Sequence, residues 1–255
     1  MTLTIGMAAC NNHEEVWFTL QALRLYHNLR GTEILVVDNG DGDKVEQVVQ
    51  KCRCRYVRYP GPKGTAAPRD EVFRQASGEW VLCIDSHVMI HPGAVAAFRA
   101  WAEVYGGADL YHGPMLYDNL VDMADAMNDE WRGHMWGTWR SGLCQQEPYD
   151  IPMHGLGLFA CRRDAWLWFH PEFRGFGGEE GYIHEKFRRA GRRVVLLPFL
   201  RWLHRFKTGE AAPYPCTVED RVRNYLLGLA ELGLDSRPLV DQFGQAAVDK
   251  ARARI

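Results

Sequence analysis

An aspartate and a histidine, two positions apart, follow one of the most apolar stretches of the chain. Residues 80–84 are β-forming and predict a buried strand, and Asp85-Ser86-His87 comes directly after it. Because alternate residues of an extended segment project to one side, Asp85 and His87 can face a single metal ion. A carboxylate beside an imidazole suits Mn²⁺, and also Mg²⁺ or Zn²⁺. The alternative is a strand end followed by an ordinary polar turn.

The elements that would position this pair alternate between strand and helix. Strand patterns cover residues 2–9, 33–37, 55–59, 80–84, 108–112, 155–161 and 193–197, with a short extended segment at 201–204. Helical patterns cover 14–29, 44–51, 66–76, 91–105, 181–190 and 217–232. The order β-α-β-α-β predicts an α/β fold whose mostly parallel sheet is flanked by helices. In such sheets, ligands bind at the C-terminal edge.

One long segment breaks the pattern. Residues 113–150 contain Trp131, Trp136 and Trp139 among many Asp, Asn and Gly residues, and predict an irregular insertion. The three indoles could stack on a sugar or a base, or could pack to order the insertion. We expect a domain over 1–210, with halves 1–112 and 113–210, and a helical extension over 211–255.

Composition narrows the class of protein. The chain has 255 residues, 47% hydrophobic and 24% charged, with a formal net charge of −2. These values fit a soluble globular protein and give no basic field for nucleic acid. No apolar run approaches the ~18 residues of a membrane helix. The seven cysteines are scattered, and Cys52 and Cys54 lack a second pair at zinc-site spacing, which predicts a reduced, cytosolic protein.

Several segments, taken in order, resemble the family 2 nucleotide-sugar glycosyltransferases of the GT-A fold. They are residues 4–12, 36–40, 64–70, 76–87, 151–159, 176–180 and Leu203-His204-Arg205-Phe206. The resemblance spans about residues 3–206 and is closest to the polypeptide N-acetylgalactosaminyltransferase branch. It implies a Rossmann-like GT-A domain and metal-dependent transfer of a hexose-type sugar. The expected donor is a uridine diphosphate sugar, and the expected acceptor is a hydroxyl group.

The resemblance also implies a donor site. Its residues would be Ala8, Ala9, Asn11, Asp38, Asn39, Lys63, Arg69, Asp85, Ser86, Gly155 and Gly157. Asp38 could accept a hydrogen bond from the imide N–H of uracil, and Asn39 stands where many relatives have a second acid. The two glycines would let the donor sugar approach the backbone, although a tightly packed strand would also need them. His154, where relatives have a small residue, could alter the choice of sugar.

Metal ligands and a catalytic base follow from the same resemblance. Asp85, His87 and His204 would bind Mn²⁺, or Mg²⁺, to neutralise the leaving diphosphate. Glu180 would remove the proton of the acceptor hydroxyl, and Glu179 would bind sugar hydroxyls. The retaining branch commonly has Asn where this chain has Glu180, so the stereochemistry stays open. Two acids capping a helix is the alternative for this pair.

Three other functions compete with this interpretation. A nucleotidyltransferase of related fold would show a glycine-rich basic loop after the first strand, and residues 7–11 are not such a loop. A non-catalytic nucleotide-sugar-binding module is the second. A metallohydrolase built on His87 and His91 is the third, and Pro92 argues against their sharing a helix. Acceptors left open are a glycan, a protein, a lipid-linked sugar and a hydroxylated nucleobase in DNA.

Overall fold

The computed structural model describes residues 1–142, 144–205 and 212–255. In chain order the elements are β1 (Leu3–Ala9), α1 (His13–Tyr26), β2 (Thr32–Asp38), α2 (Lys44–Lys51), β3 (Arg55–Arg58), α3 (Ala66–Gln75), β4 (Trp80–Asp85), β5 (Val88–Ile90), α4 (Ala94–Tyr105), β6 (Leu110–His112), β7 (Met115–Leu116), β8 (Met123–Arg132), β9 (Met135–Ser141), β10 (Tyr149–Asp150), β11 (Leu158–Arg162), α5 (Glu179–Arg189), β12 (Val194–Leu196), β13 (Trp202–His204), α6 (Val218–Glu231), α7 (Arg237–Phe243) and α8 (Gln245–Arg252).

The predicted α/β fold is confirmed by an eight-stranded sheet in the order β10-β12-β6-β11-β4-β1-β2-β3. Strands β1, β2, β3 and β4 run parallel, and β11 is antiparallel to both β4 and β6. Strands β1 and β4 are buried along almost their whole length, as expected of a sheet covered on both faces. The carboxyl ends of β1 and β4 therefore meet at one edge, with Ala8 opposite Asp85.

The prediction of an irregular insertion over 113–150 is wrong. This segment supplies β7, β8 and β9 to a second sheet of five strands, in the order β5-β13-β7-β8-β9. The register of β8 against β9 shifts twice, between Ala124 and Ala126 and between Asn128 and Trp131. Because each shift moves side chains to the other face, the sequence shows no clean alternation. Gly133 and His134 both have positive φ, as the two-residue turn of this hairpin requires.

The last three helices form the predicted C-terminal helical segment. Helix α6 begins at the expected cap, since the Thr217 hydroxyl accepts a hydrogen bond of 3.0 Å from the Asp220 N–H. Val222 and Tyr225 of α6 pack in one apolar cluster with Met127 and Trp136 of the hairpin. Phe206 and the expected domain boundary at 210/211 lie outside the described residues. Among the helices described, none has the length and apolar character needed to cross a membrane.

The two sheets meet where the backbone at Gly113 touches Leu200, so we expect Gly113→Ala to be strongly destabilising. A Cβ at Gly113 would lie 1.6 Å from the Leu200 carbonyl oxygen, which is backbone and cannot swing away. Urea unfolding should show a loss of roughly 2–3 kcal/mol in unfolding free energy. Gly107→Ala is the control, because its Cβ would meet only the Tyr111 hydroxyl at 3.4 Å. An equal loss in both variants would contradict the proposed contact.

Candidate active site

A cavity of about 590 Å³ opens at the carboxyl edge of β1 and β4. Its lining comes from both sheets, from helices α3 and α5, and from the segment that precedes α6. The residues are Ala8, Ala9, Cys10, Asn12, Gly64, Thr65, Pro68, Arg69, Asp85, Ser86, His87, Met115, Met127, Met135, Trp139, Gly155, Leu156, Gly157, Phe176, Glu180, Trp202, His204, Ala212, Pro213 and Tyr214.

Asp85, His87 and His204 converge at one wall of this cavity. Asp85 ends β4, His87 occupies the turn after it, and His204 ends β13, which pairs with β5 so that His204 faces Val88. Potential ligand atoms of the three side chains lie within 4.8 Å of one another. The Nε2 atoms of His87 and His204 are 3.2 Å apart. Two imidazole nitrogens and a carboxylate at this spacing form a donor set that fits one divalent cation.

Arg69 of α3 sits behind the Asp85 carboxylate. Its side chain is buried, and its Nη2 lies 2.8 Å from Asp85 Oδ1. Burial opposes ionisation of Asp85, but Arg69 and the two histidines outweigh that effect and lower its pKa. Arg69 therefore keeps Asp85 as a carboxylate, which is the form that binds a cation.

The two acids at the start of α5 have different surroundings. Glu179 is fully buried, and its carboxylate accepts hydrogen bonds from the Thr65 hydroxyl (2.5 Å) and the Gly177 N–H (2.7 Å). Glu180 lines the cavity. Burial, followed by the neighbouring Glu179, raises the pKa of Glu180 to about 8, although Arg69 opposes the shift. Glu179 thus lies outside the cavity lining and fixes the loop before α5, whereas Glu180 faces the space where a substrate would bind.

Of the predicted nucleoside contacts, Ala8 and Ala9 line the cavity and Asn11, Asp38 and Asn39 do not. Lys63, predicted to bind phosphate or donor, also lies outside the lining. Asp38 is fully buried, and its carboxylate accepts from the Gly40 N–H at 2.8 Å and the Tyr56 hydroxyl at 2.9 Å.

The other three side chains hold the turn that follows β2. The Asn39 amide donates to the Tyr59 and Gly61 carbonyls, and Asn11 Oδ1 accepts from the Asp41 and Gly42 N–H groups. Lys63 donates to the Asn39 carbonyl and to the Asp41 carboxylate. Base recognition by Asp38 and Asn39 stays a prediction.

Gly155 and Gly157 line the cavity, and an indole ring packs beside each of them. A Cβ at Gly155 would lie 2.7 Å from Cη2 of Trp139, and one at Gly157 would lie 2.7 Å from Cη2 of Trp202. A side chain at either position would therefore collide with an indole ring, and the expectation that a sugar approaches this backbone stays a prediction. His154 is fully buried, with its ring 5.2 Å from that of Trp139, so it lies outside the lining.

The three tryptophans of the hairpin have separate roles. Trp131 and Trp136 stack on each other, 5.9 Å between ring centroids, and the backbone N–H of Trp136 donates to the Tyr225 hydroxyl. These two are packing residues. Trp139 is 39% exposed and lines the cavity, so it alone of the three is placed to stack on a substrate.

Sequence reasoning missed several lining residues. Asn12 donates to the Ser86 hydroxyl, and the Cys10 thiol donates to the Pro213 carbonyl at 3.6 Å. Pro213 and Tyr214 reach the cavity from the segment beyond the resemblance. Burial raises the pKa of Tyr214, and Arg69 and Asp85 act on it electrostatically. No local pattern marks such a contact, because it joins residues about 200 positions apart.

The model of the family described as Glycosyl transferase family 2 matches residues 4–166. Solved structures of similar fold include GalNAc-T7 with UDP, GalNAc and Mn²⁺, at TM-score 0.68 and 14% identity, covering 90% of this chain and 48% of that one. The 1–349 fragment of S. aureus TarS with UDP-GlcNAc has TM-score 0.64 and 17% identity, and the match covers 100% of this chain and 72% of that one.

The mannosyltransferase PcManGT from Pyrobaculum calidifontis, with GDP-Man and Mn²⁺, has TM-score 0.59 and 13% identity, and the match covers 98% of this chain and 73% of that one. At these identities the likeness shows a shared fold. The chain spans about half the length of the GalNAc-T7 chain. A search of curated protein sequences found no match.

The raised pKa of Glu180 predicts a stability effect that depends on pH. The folded state holds this proton up to about pH 8, whereas an unfolded glutamate loses it near 4.5, so folding is weakened as pH rises between these values. Glu180→Gln removes the titration. In EDTA, we expect the unfolding free energy of this variant, relative to that of the wild type, to increase by roughly 2–4 kcal/mol between pH 5 and pH 8.

Glu185→Gln, on the same helix, is the control for this titration. Its carboxylate pairs with Arg188 and Arg189 at 3.0 and 2.9 Å on a more exposed face. Its difference from the wild type should change by less than about 1 kcal/mol over the same pH range. A Glu180→Gln difference that does not vary with pH would contradict the raised pKa of this carboxyl.

Proposed function

Because the chain belongs to glycosyl transferase family 2, we propose that it transfers a sugar from a nucleotide diphosphate donor to a hydroxyl acceptor. One observation carries the proposal: three side chains that could hold a cation and the half-buried Glu180 carboxyl open into the same cavity. The first suits a diphosphate leaving group and the second suits proton removal.

Asp85, His87 and His204 would hold the cation, and we propose Mn²⁺ for this role. A divalent cation bound there would neutralise the negative charge that develops on the diphosphate. Arg69 supports the site by keeping Asp85 ionised, through its 2.8 Å contact with Oδ1. The GalNAc-T7 and PcManGT structures contain Mn²⁺.

Glu180 is the proposed base. As the acceptor oxygen bonds to the anomeric carbon, the bond from that carbon to the diphosphate oxygen breaks and its electron pair leaves with the diphosphate. The acceptor proton passes to the Glu180 carboxylate. A pKa raised towards 8 suits a base working near neutral pH, and a bound cation would favour the ionised form. A base in this position favours transfer with inversion.

We propose a uridine diphosphate sugar as the donor. GalNAc-T7 and TarS have been crystallised with UDP or UDP-GlcNAc, and PcManGT with GDP-Man. The likeness to GalNAc-T7 supports the resemblance to polypeptide N-acetylgalactosaminyltransferases seen in residues 85–87. For the acceptor, the hydroxyl group is the part that the Glu180 chemistry requires.

The function is tested by donor hydrolysis, in which water replaces the acceptor. We expect one sugar among UDP-glucose, UDP-N-acetylglucosamine, UDP-N-acetylgalactosamine and GDP-mannose to be hydrolysed with Mn²⁺ and not with EDTA. His87→Ala and His204→Ala should each lower this rate roughly 100-fold, because each removes a cation ligand. The control is His91→Ala, since the exposed His91 contacts the Pro92 carbonyl outside the cavity. Full activity in EDTA would refute the metal role.

Trp139 supplies a flat apolar face to the cavity, so its removal should weaken substrate binding. We expect Trp139→Ala to lower kcat/KM for the hydrolysed nucleotide sugar or for its acceptor roughly 10-fold, in line with the loss of one stacked ring. Trp168→Ala is the matched control, because Trp168 is also 39% exposed and does not line the cavity. Equal losses in both variants would count against stacking at Trp139.

A further inference from the structure

Three fully buried histidines lie beneath the cavity, on three different parts of the fold. His112 ends β6, His154 precedes β11, and His184 lies in α5 one turn after Glu180. The His112 ring stacks on both others, with centroids 5.2 Å from that of His154 and 4.8 Å from that of His184. None of the three lines the cavity. A buried polar cluster of this kind needs its hydrogen bonds satisfied to be tolerated.

The contacts of His184 fix its tautomer. Its Nδ1 lies 2.5 Å from the backbone carbonyl oxygen of Glu180, which can only accept, so Nδ1 carries the hydrogen. Its Nε2 accepts from the backbone N–H of His154 at 3.2 Å. His112 Nε2, 2.9 Å from the same atom, must then be a donor. With one hydrogen on each neutral ring, the order of donation is His112 to His184 to Glu180.

Neutral rings are what this environment favours. Burial lowers the pKa of His184 to about 3 and of His154 to about 4, and it holds the pKa of His112 well below its ordinary value. The remaining contact, 3.2 Å between His112 Nδ1 and the Leu158 carbonyl, has no hydrogen left to share. The tautomers that leave His112 Nδ1 without a hydrogen are those that keep the donation from His184 to the Glu180 carbonyl.

This chain of contacts joins the two sides of the site. On one side, His184 contacts the carbonyl of the residue that carries the proposed base. On the other, His112 and His154 lie on the strand and loop around Gly157, whose carbonyl accepts from the Asp85 N–H at 2.9 Å. Glu180 lies in the first turn of α5, directly after Glu179, so the contact of His184 with the Glu180 carbonyl acts on that turn.

We infer that His184, oriented by His112, is a positioning residue that holds the first turn of α5 so that Glu180 faces the acceptor hydroxyl. The inference rests on the proposed role of Glu180 as the base. Rates of bond-making steps fall steeply when a catalytic group is displaced by about 1 Å. Loss of the hydrogen bond from His184 to the Glu180 carbonyl should therefore lower kcat while leaving the cation and diphosphate contacts intact.

The test compares His184→Leu, His184→Asn and Phe187→Leu. Leucine removes the ring's hydrogen bonds, whereas the asparagine amide keeps an N–H near the Nδ1 position. Phe187, fully buried on the same helix beside Trp166, is the control for lost packing. The readouts are kcat for Mn²⁺-dependent hydrolysis of the nucleotide sugar that the wild type hydrolyses fastest, Kd for UDP with Mn²⁺, and Tm.

We expect His184→Leu to lower kcat roughly 10- to 100-fold and to change Kd for UDP by less than about 3-fold. His184→Asn should recover most of the rate, and Phe187→Leu should keep near wild-type kcat at a similarly lowered Tm. Equal kcat losses in His184→Leu and Phe187→Leu, or no recovery in His184→Asn, would overturn the inference.

A second variant covers the case in which His184→Leu does not fold. His112→Phe keeps a buried ring and removes the donor to His184 Nε2, so kcat should fall several-fold at unchanged Kd, and an unchanged kcat would overturn the inference. Failure of the proposed function gives different results. It would appear as a wild type that hydrolyses no nucleotide sugar, or as full activity in Glu180→Gln.

Discussion

The guanidinium of Arg69 is the contact on which the candidate site depends. It lies 2.8 Å from Asp85 and 3.9 Å from Glu179, and its side chain is only 6% exposed. Asp85 belongs to β4 and Glu179 to α5, so one guanidinium joins the edge of the sheet that carries Asp85 to the helix that carries Glu180. Without it, Asp85 and the buried Glu179 would each lose this cation, and removing one partner of a buried ion pair costs about 3–5 kcal/mol.

The sequence predicts the part of the candidate site whose residues are neighbours in the chain. Asp85 and His87 could be proposed as a pair because an apolar strand ends there and alternate residues of an extended segment project to one side, although an ordinary polar turn stayed open for the tripeptide alone. Arg69 and Glu180 required the resemblance, since nothing in their own segments says that α3 and α5 face each other. The structure supplies that link through Thr65, whose hydroxyl donates to Glu179.

What could not be predicted depends on contacts far apart in the chain. The β8–β9 hairpin is hidden by its two register shifts, and its Trp139 reaches the cavity only because Gly155 leaves room for the indole. Tyr214 comes from beyond the resemblance. Conversely, Asp38 and Asn39 have side chains suited to a base, but the structure shows them engaged with the turn after β2. The residue type shows which hydrogen bonds a side chain can make, and the fold determines which partners it has.

The cavity lining combines charged and apolar side chains, and both suit the proposed reaction. Asp85, His87, His204 and Arg69 supply the charged groups that would meet a diphosphate, and Met127 and Trp202 supply apolar surface, with the Trp202 ring 5.8 Å from that of His204. Glu180 also lines the cavity, and its pKa of about 8 reflects burial beside a second acid. A carboxyl in such surroundings gains more from accepting a proton than an exposed one does. The same burial that makes Glu180 costly to ionise thus makes it an effective acceptor for the hydroxyl proton, provided that the histidines beneath it keep its turn of helix in place.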